Sequence, residues 1–302
     1  MRFADQETNK ELSMPYIRVG QENSGNLNLY YEDHGAGEPI VLVHGWPLSG
    51  ASWEKQVPAL VDAGYRVITY DRRGFGKSSR PVSGYEYNTL AADLEKLLTK
   101  LDLHDATLVG FSMGGGEVAR YLGAYGSKRV KNAVFIASIT PFLLKTDENP
   151  EGTAGAVFDG IEKAITADRL AFLSSFLADF YNFDVLGGHR VSSQVVQSNW
   201  NVAADASPTG TFDCVSAWLT DFRKDLAGIE IPTLVIYGDA DRILPFAATG
   251  KRTHALVKGS ELLVVKDGPH GIAWTHADIV NRGLLTFLGA ERDALKEQEK
   301  VA

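Results

Sequence analysis

A serine lies between glycines in the segment Gly110-Phe111-Ser112-Met113-Gly114. An apolar run, 106–109, precedes the segment, and a helix-like stretch, 115–125, follows it. This order predicts a sharp turn from a strand into a helix, which lifts the Ser112 hydroxyl out of the fold towards a substrate. Side chains two positions from the serine would collide with the adjoining strand or helix, so glycine is required on both sides. The string alone is a weak signal, and its context makes Ser112 a candidate nucleophile.

A serine nucleophile needs a base to take its proton and an acid to orient that base. The candidate acid is Asp241, which follows the strand-like run 232–236. Asp239 is the alternative acid, and its other interpretation is a turn carboxylate that accepts hydrogen bonds from nearby backbone N–H groups. The candidate base is His270, in a turn-rich loop after the apolar run 262–265. The chain order Ser, Asp, His is that of α/β-hydrolases, whereas the two other common serine-triad folds use different orders.

The oxyanion of an acyl-transfer intermediate needs backbone donors. Met113 N–H, directly after the serine, and Trp46 N–H, in the loop after the strand-like run 40–43, are the candidates. His44 in the same loop is interpreted as a residue that pins the loop by hydrogen bonds rather than as a base. Pro47 restricts Trp46 to extended backbone angles and so fixes the direction of the Trp46 carbonyl. Two interpretations of Pro47 stay open: it stiffens the loop, or it aims that carbonyl to accept a hydrogen bond from hydrogen peroxide.

Four segments carry a resemblance to a known family. They are His44-Gly45-Trp46-Pro47, Asp71-Arg72-Arg73-Gly74-Phe75-Gly76-Lys77-Ser78, Gly110-Phe111-Ser112-Met113-Gly114-Gly115-Gly116-Glu117 and Gly268-Pro269-His270-Gly271. Together they resemble the cofactor-free haloperoxidase and perhydrolase branch of the α/β-hydrolases, over about residues 14–288. Aryl esterases and γ-lactamases with the same triad are relatives of that branch.

The resemblance implies roles for five residues. These are Ser112 as nucleophile, Asp241 as acid, His270 as base, and Trp46 with Met113 as oxyanion donors. The preference for Asp241 over Asp239 rests on the family's Gly-x-x-Asp-x-x-x-Pro pattern, which Gly238, Asp241 and Pro245 match. In the haloperoxidase-like relatives the Trp-Pro step accompanies the use of peroxide in place of water, which gives a peracid.

Composition sets further limits. The chain has 302 residues, of which 44% are hydrophobic, enough to bury the core of one compact enzyme. A net charge of -8 argues against nucleic acid and anionic membranes as partners, so a small molecule is expected, and oligomer formation stays open. The single cysteine, Cys214, excludes an internal disulfide and suits a reducing compartment. Residues 1–10 lack the apolar segment of a signal peptide, and no apolar run is long enough to span a bilayer. We therefore predict a cytoplasmic protein.

No cofactor and no metal are predicted. The seven histidines lack the spacing of a zinc site. Gly76-Lys77-Ser78 is similar to the end of a phosphate-binding loop, but Asp71 stands where that loop requires its first glycine.

Apolar strand-like runs alternate with amphipathic helical patterns, which predicts an α/β fold. With the resemblance, we expect the α/β-hydrolase fold: a mostly parallel eight-stranded sheet with helices on both faces and a helical cap. Strands are predicted at 16–19 and 27–32, as an antiparallel edge, and at 40–43, 66–70, 107–110, 133–137, 233–237 and 262–265. Helices are predicted near 52–63, 89–101, 115–124, 245–257 and 275–288. The cap is assigned to 139–212, the core to 1–138 and 213–302, and flexible ends to 1–13 and 291–302.

Four cap phenylalanines recur at helical spacing and predict one aromatic stripe. They are Phe172, Phe176, Phe180 and Phe183. Each alone is interpreted as packing against the core, but together they favour an apolar pocket for a small or aromatic ester or amide. The predicted pocket residues are Phe111, Phe142, Phe176 and Ile243.

We therefore predict a serine hydrolase that cleaves small or aromatic esters, and by extension amides or lactams, through an acyl-enzyme, with perhydrolase side activity. A dehalogenase or epoxide hydrolase of the same fold would need an aspartate in place of Ser112. A non-catalytic ligand receptor that retains the fold stays open as the alternative, because such a protein can keep its whole triad.

Overall fold

The computed structural model of the chain describes residues 15–289. The predicted flexible segments, 1–13 and 291–302, lie outside the described residues. Eight strands are present within that range, and all eight were predicted. They are β1 (Tyr16–Glu22), β2 (Gly25–His34), β3 (Pro39–Val43), β4 (Arg66–Tyr70), β5 (Ala106–Phe111), β6 (Val130–Ile136), β7 (Thr233–Gly238) and β8 (Glu261–Val265).

The strands form one sheet in the order β1-β2-β4-β3-β5-β6-β7-β8. The pairs β1–β2 and β2–β4 are antiparallel, and every other neighbouring pair is parallel, as predicted. Every residue of β5 and β7 is buried, which explains their continuous apolar runs, because a central parallel strand is covered on both faces. The carboxyl ends of parallel strands meet at one edge of a sheet. At that edge the loops after β3, β5, β7 and β8 bring together Trp46, Ser112, Asp241 and His270.

Helices cover the sheet and close its carboxyl edge. They are α1 (Gln56–Asp62), α2 (Tyr87–Lys100), α3 (Met113–Tyr125), α4 (Gly155–Phe180), α5 (Phe183–Leu186), α6 (Ser193–Asp205), α7 (Pro208–Ala217), α8 (Arg223–Ala227), α9 (Gly250–Leu256), α10 (Ile272–Thr275) and α11 (Ala277–Leu288). Two predicted helices are shorter than expected. A 3₁₀ turn, Gly50–Trp53, precedes α1, and α9 begins at Gly250 rather than near Pro245.

The segment between β6 and β7 contains α4 to α8 and isolated β-bridges, with no strand, as predicted for the cap. Helix α4 is two helical pieces joined at Asp168, whose φ of -157° and ψ of 92° are not helical. The Asp168 carboxylate accepts a hydrogen bond from Ala171 N–H at 3.0 Å and so caps the second piece. The division into core and cap stays a prediction, and α7 crosses the assigned boundary at residue 212. No helix within 15–289 has the length and apolar character needed to cross a membrane.

Candidate active site

Ser112 occupies a strained turn between β5 and α3. Its φ of 53° and ψ of -120° lie outside the regions that most residues adopt. The turn is held by Ser112 N–H, which donates to Ile136 O at 2.9 Å, and by Ser112 O, which accepts from Gly115 N–H at 3.0 Å. A Cβ atom on Gly110 would lie 2.6 Å from Gly114 O, and one on Gly114 would lie 2.3 Å from the carbonyl oxygen of Val43. Both glycines are therefore required by close backbone contacts.

The His270 imidazole lies between Ser112 and Asp241. Its Nε2 is 2.9 Å from Ser112 Oγ, and its Nδ1 is 2.7 Å from Asp241 Oδ2. The side chains of His270 and Asp241 are fully buried. The other oxygen of Asp241, Oδ1, accepts from Ile243 N–H at 2.9 Å and from Leu244 N–H at 2.8 Å. With Oδ2 facing Nδ1–H, the imidazole presents an unprotonated Nε2 to the serine, which is the arrangement that proton abstraction requires.

Asp239, the alternative acid, faces elsewhere. Its Oδ1 accepts a hydrogen bond from Asp267 N–H at 2.6 Å. This matches its other interpretation, a turn carboxylate that binds nearby backbone N–H groups. Of the two aspartates, Asp241 is therefore the one in contact with His270.

The two candidate oxyanion donors flank the serine. Met113 is the first residue of α3, directly after Ser112. A Cβ atom on Gly45 would lie 3.0 Å from Ser112 Cβ, so the Gly45–Trp46 peptide passes beside the serine. Neither the Met113 nor the Trp46 N–H donates to an acceptor within residues 15–289, which leaves both able to bind a substrate oxygen. The Trp46–Pro47 peptide bond is cis.

His44 is buried below this loop and has two hydrogen-bond partners. Its Nε2 accepts from Arg72 N–H at 2.9 Å, so Nδ1 carries the proton and donates to Gly45 O at 2.8 Å. Burial, with the nearby Arg72 guanidinium, lowers the pKa of His44 well below its usual value. The imidazole is therefore neutral and pins the loop, as the sequence indicated.

A buried ion pair below the site was not assigned a role from sequence. Arg72 Nε donates to Glu117 Oε2 at 2.7 Å, and Arg72 Nη2 donates to His44 O at 2.7 Å. Tyr70 OH donates to the other oxygen of Glu117. Burial raises the pKa of Glu117, an effect that the neighbouring Arg72 opposes. The signal was present, because Arg72 and Glu117 lie in two of the segments that carry the family resemblance.

A cavity of about 360 Å³ opens onto Ser112. Of the predicted pocket residues, Phe142, Phe176 and Ile243 line it. Most of the remaining wall is apolar, and it includes Ile139, Leu143, Val157, Phe158, Ile161, Phe172, Trp218, Leu244 and Pro245. Asp179 and Arg242 are charged residues of the wall. Sequence reasoning missed Trp218, whose ring meets that of Trp46 edge-on with centroids 4.9 Å apart.

Phe111 is not among the residues that line this cavity, although it precedes Ser112. Its ring lies against the His270 imidazole, with centroids 5.1 Å apart. The Phe180 ring meets the same imidazole at 5.0 Å. Phe111 is the last residue of β5, and Ser112 already has the left-handed φ of the turn, so being adjacent in sequence does not place the Phe111 ring in the cavity. Phe111 and Phe180 instead form apolar walls around the imidazole.

The predicted aromatic stripe is shorter than expected. Consecutive ring contacts join Phe172 to Phe176 and Phe176 to Phe180. Helix α4 ends at Phe180, and Asn182 then adopts a left-handed conformation, with φ 46° and ψ 50°. This change of direction removes Phe183 from the stripe, and Phe183 lines a separate surface pocket. Within residues 15–289, no group of three or more His, Cys, Asp or Glu side chains is placed to hold a metal ion.

Comparison with known proteins agrees with this fold. The sequence model described as the alpha/beta hydrolase fold matches residues 38–277. The chain therefore belongs to the α/β-hydrolase family, in the group that includes the non-heme haloperoxidases. A Synechocystis sp. protein assigned to the non-heme chloroperoxidases is 62% identical over 91% of this chain and 100% of its own length. A bifunctional esterase/perhydrolase from Acinetobacter calcoaceticus is 34% identical over 87% of this chain and 96% of its own.

A solved structure extends the comparison. The crystal structure of a bromoperoxidase from Bacillus anthracis superposes with a TM-score of 0.87 at 51% identity. The match covers 90% of this chain and 98% of that one. The likeness therefore spans both the sheet and the helices inserted between β6 and β7.

Proposed function

We propose that this α/β-hydrolase is a serine esterase for small or aromatic esters, with amides and lactams as related substrates, and that it also forms peracids. One observation carries the proposal. Ser112, His270 and Asp241 are in consecutive hydrogen-bond contact, and Ser112 lines an apolar cavity. The relative from Acinetobacter calcoaceticus, named as a bifunctional esterase/perhydrolase, supports both activities.

The first half of the reaction forms an acyl-enzyme. His270 Nε2 takes the Ser112 proton as Oγ attacks the ester carbonyl carbon. The N–H groups of Trp46 and Met113 stabilise the resulting oxyanion, and loss of one such donor costs about 3 kcal/mol of transition-state stabilisation. The tetrahedral intermediate collapses, the bond to the alcohol oxygen breaks, and His270 returns the proton to the departing alcohol. Asp241 holds the imidazole in the required tautomer and stabilises its charged form.

The second half of the reaction releases the acyl group. Water gives a proton to His270 and attacks the acyl carbon. The bond from that carbon to Ser112 Oγ then breaks, His270 returns the proton to Oγ, and a carboxylic acid is released. Hydrogen peroxide in place of water yields a peracid by the same steps. The cavity wall near Ser112 is largely apolar, which favours an uncharged acyl group over a phosphorylated or strongly anionic one.

The choice between water and peroxide can be tested at Pro47. In one interpretation Pro47 sets the direction of the Trp46 carbonyl, which then accepts a hydrogen bond from peroxide. The Pro47→Leu variant should then form peracid more slowly, with a smaller effect on ester hydrolysis. Both rates are measured on the same aryl ester, with and without peroxide. An unchanged ratio of the two rates would assign Pro47 to loop stiffening alone.

The enzymatic proposal itself has a direct test. A fluorophosphonate probe should label the wild-type protein at Ser112, and a short-chain aryl ester should be hydrolysed with repeated turnover. The Ser112→Ala variant should be neither labelled nor active. Binding of the ester without turnover would instead favour the non-catalytic receptor. A hydrolysis screen over acyl length then identifies the preferred substrate.

The expected setting of the reaction follows from charge and cysteine chemistry. A net charge of -8 supports a small molecule, rather than nucleic acid, as the partner. Cys214 is free and buried, and burial raises the pKa of its thiol to about 12, so the thiol is unreactive. This lone unpaired cysteine supports a cytoplasmic location, which cell fractionation tests.

The oligomeric state is a separate question. Size-exclusion chromatography with light scattering tests whether the enzyme forms oligomers.

A further inference from the structure

The end of helix α4 contacts both loops that carry the candidate acid and base. Gly271 N–H donates to Phe180 O at 2.8 Å, one residue after His270. Asn182 Nδ2 donates to Ala240 O at 2.9 Å, one residue before Asp241. Residues 180–182, the bridging segment, therefore bond to both of the loops whose side chains must meet.

The Ala240 peptide unit is held from two sides. Its N–H donates to Gly268 O at 3.1 Å, in the loop that carries His270. Its carbonyl accepts from Asn182 of the bridging segment. The bonds from Ile243 and Leu244 fix the Asp241 carboxylate within its own loop. The Asn182 contact ties this loop to the helices between β6 and β7. The exposed pair of Arg242 and Asp184 also joins them, at 2.7 and 3.2 Å, but its atoms lie on the far side of Asp241 from the Ala240 peptide in sequence.

Asn182 is a buried polar residue with one unpaired side-chain atom. It is 4% exposed, and its Oδ1 has no hydrogen-bond partner within residues 15–289. An unpaired buried amide oxygen costs free energy. The left-handed backbone does not by itself require asparagine, because glycine adopts it without strain. What the asparagine side chain adds is its hydrogen bond to Ala240 O.

We propose that Asn182 is a positioning residue, which holds Asp241 against His270 through the Ala240 carbonyl; this rests on the reaction proposed above. Helix α4, which ends at Phe180 in the bridging segment, also carries Phe172 and Phe176, which line the cavity that opens onto Ser112. The bridging segment thus connects the cavity wall to the acid loop. Asn182 acts on the rate of the chemical steps and not on substrate affinity, because it does not line the cavity.

The test replaces Asn182→Gly, which keeps the left-handed backbone and removes only the side chain. The value of kcat for a short-chain aryl ester should fall about tenfold or more, because small misplacements of catalytic groups are costly. KM should stay within about twofold. Asn182→Asp retains the size but offers only acceptors when ionised, so it should show the same loss. Val185→Ala is the matched control, since Val185 is 61% exposed on the next helix.

Two measurements separate positioning from loss of folded protein. Rates are divided by the concentration of sites that a fluorophosphonate labels at completion. The downfield proton resonance of His270 Nδ1 should shift or broaden in Asn182→Gly and stay unchanged in Val185→Ala. The proposal is overturned if kcat of either Asn182 variant stays within about twofold of wild type. It is also overturned if the loss of rate disappears when rates are divided by the concentration of labelled sites, or if the His270 resonance is unaltered in Asn182→Gly. Wild type without turnover, or an active Ser112→Ala, would instead overturn the esterase assignment, while the resonance still reports on the Asn182 contact.

Discussion

Replacement of Asp241→Asn should abolish most of the activity through the tautomer of His270. An asparagine side chain has one oxygen and one NH₂ group. The oxygen is claimed by the N–H groups of Ile243 and Leu244, which lie 2.9 and 2.8 Å from Asp241 Oδ1. The NH₂ group then faces His270 Nδ1, so that nitrogen must accept, and the imidazole proton moves to Nε2. Nε2 now donates to Ser112 Oγ and cannot take its proton.

The opposite orientation of the asparagine is unfavourable. It would leave two buried backbone N–H groups without an acceptor, at a cost of about 1–3 kcal/mol each. The wrong tautomer in a serine triad lowers kcat by about 10⁴, which corresponds to about 5 kcal/mol of activation free energy. The assay is kcat for a short-chain aryl ester at neutral pH, with the folded state checked by circular dichroism.

Asp239→Asn is the matched control for this experiment. Its amide oxygen can still accept from Asp267 N–H, so kcat should stay within about threefold of wild type. If Asp241→Asn keeps more than about a tenth of the wild-type kcat, or if Asp239→Asn loses as much, the assignment of the acid is refuted.

Three further predictions concern Gly114, Phe176 and His44, and the first has Gly160 as its control. Gly114→Ala should lower Tm and should lower kcat about 100-fold, because the added Cβ would lie 2.3 Å from Val43 O. Gly160→Ala is the control: the added Cβ has no atom within 4 Å, and Gly160 lies inside helix α4, so thermal unfolding should show a stabilisation of about 0.5–1 kcal/mol. Phe176→Ala should lower kcat/KM for short acyl esters about tenfold and favour bulkier ones, and an unchanged acyl-length profile would contradict its place in the wall. The pKa of His44 is depressed in the folded state, so below about pH 6.5 the unfolded state binds one more proton than the folded state. The free energy of unfolding should therefore decrease as the pH is lowered from about 6.5, by up to about 1.4 kcal/mol per pH unit. Urea unfolding at several pH values should show a weaker pH dependence of this free energy for His44→Gln, and an equal pH dependence would refute this.

The parts of the site that the sequence predicted are those set by local constraints. The Ser112 turn needs a strand, two small residues and a helix within a short stretch, and all are visible in the sequence. The loops of Asp241 and His270 each follow a strand with a continuous apolar run. Since parallel strands end at the same edge, residues far apart in the chain are brought together without further information.

The parts that the sequence did not predict depend on the direction of side chains and on the course of the helices between β6 and β7. Phe111 was placed in the pocket because it adjoins Ser112, but the strand turns its ring to the imidazole. Trp218 reaches the cavity from the end of α7, which no periodicity connects to Ser112. Phe183 keeps the spacing of the stripe, yet a single left-handed residue before it redirects the chain. Such contacts are properties of packing, not of pattern.

The buried Arg72 connects the two segments that carry the proposed oxyanion donors. Arg72 binds Glu117 on α3, the helix that begins with Met113, and it also binds the carbonyl of His44, two residues before Trp46. A buried ion pair is weak evidence for stability, because desolvation of both charges offsets their attraction. Both oxygens of Glu117 accept a hydrogen bond, the second from Tyr70, but Arg72 Nη1 is buried without a partner within residues 15–289. The arrangement therefore acts through geometry: one guanidinium joins the helix of the first donor to the loop of the second, and an oxyanion hole requires that both N–H groups point to one place before the substrate arrives.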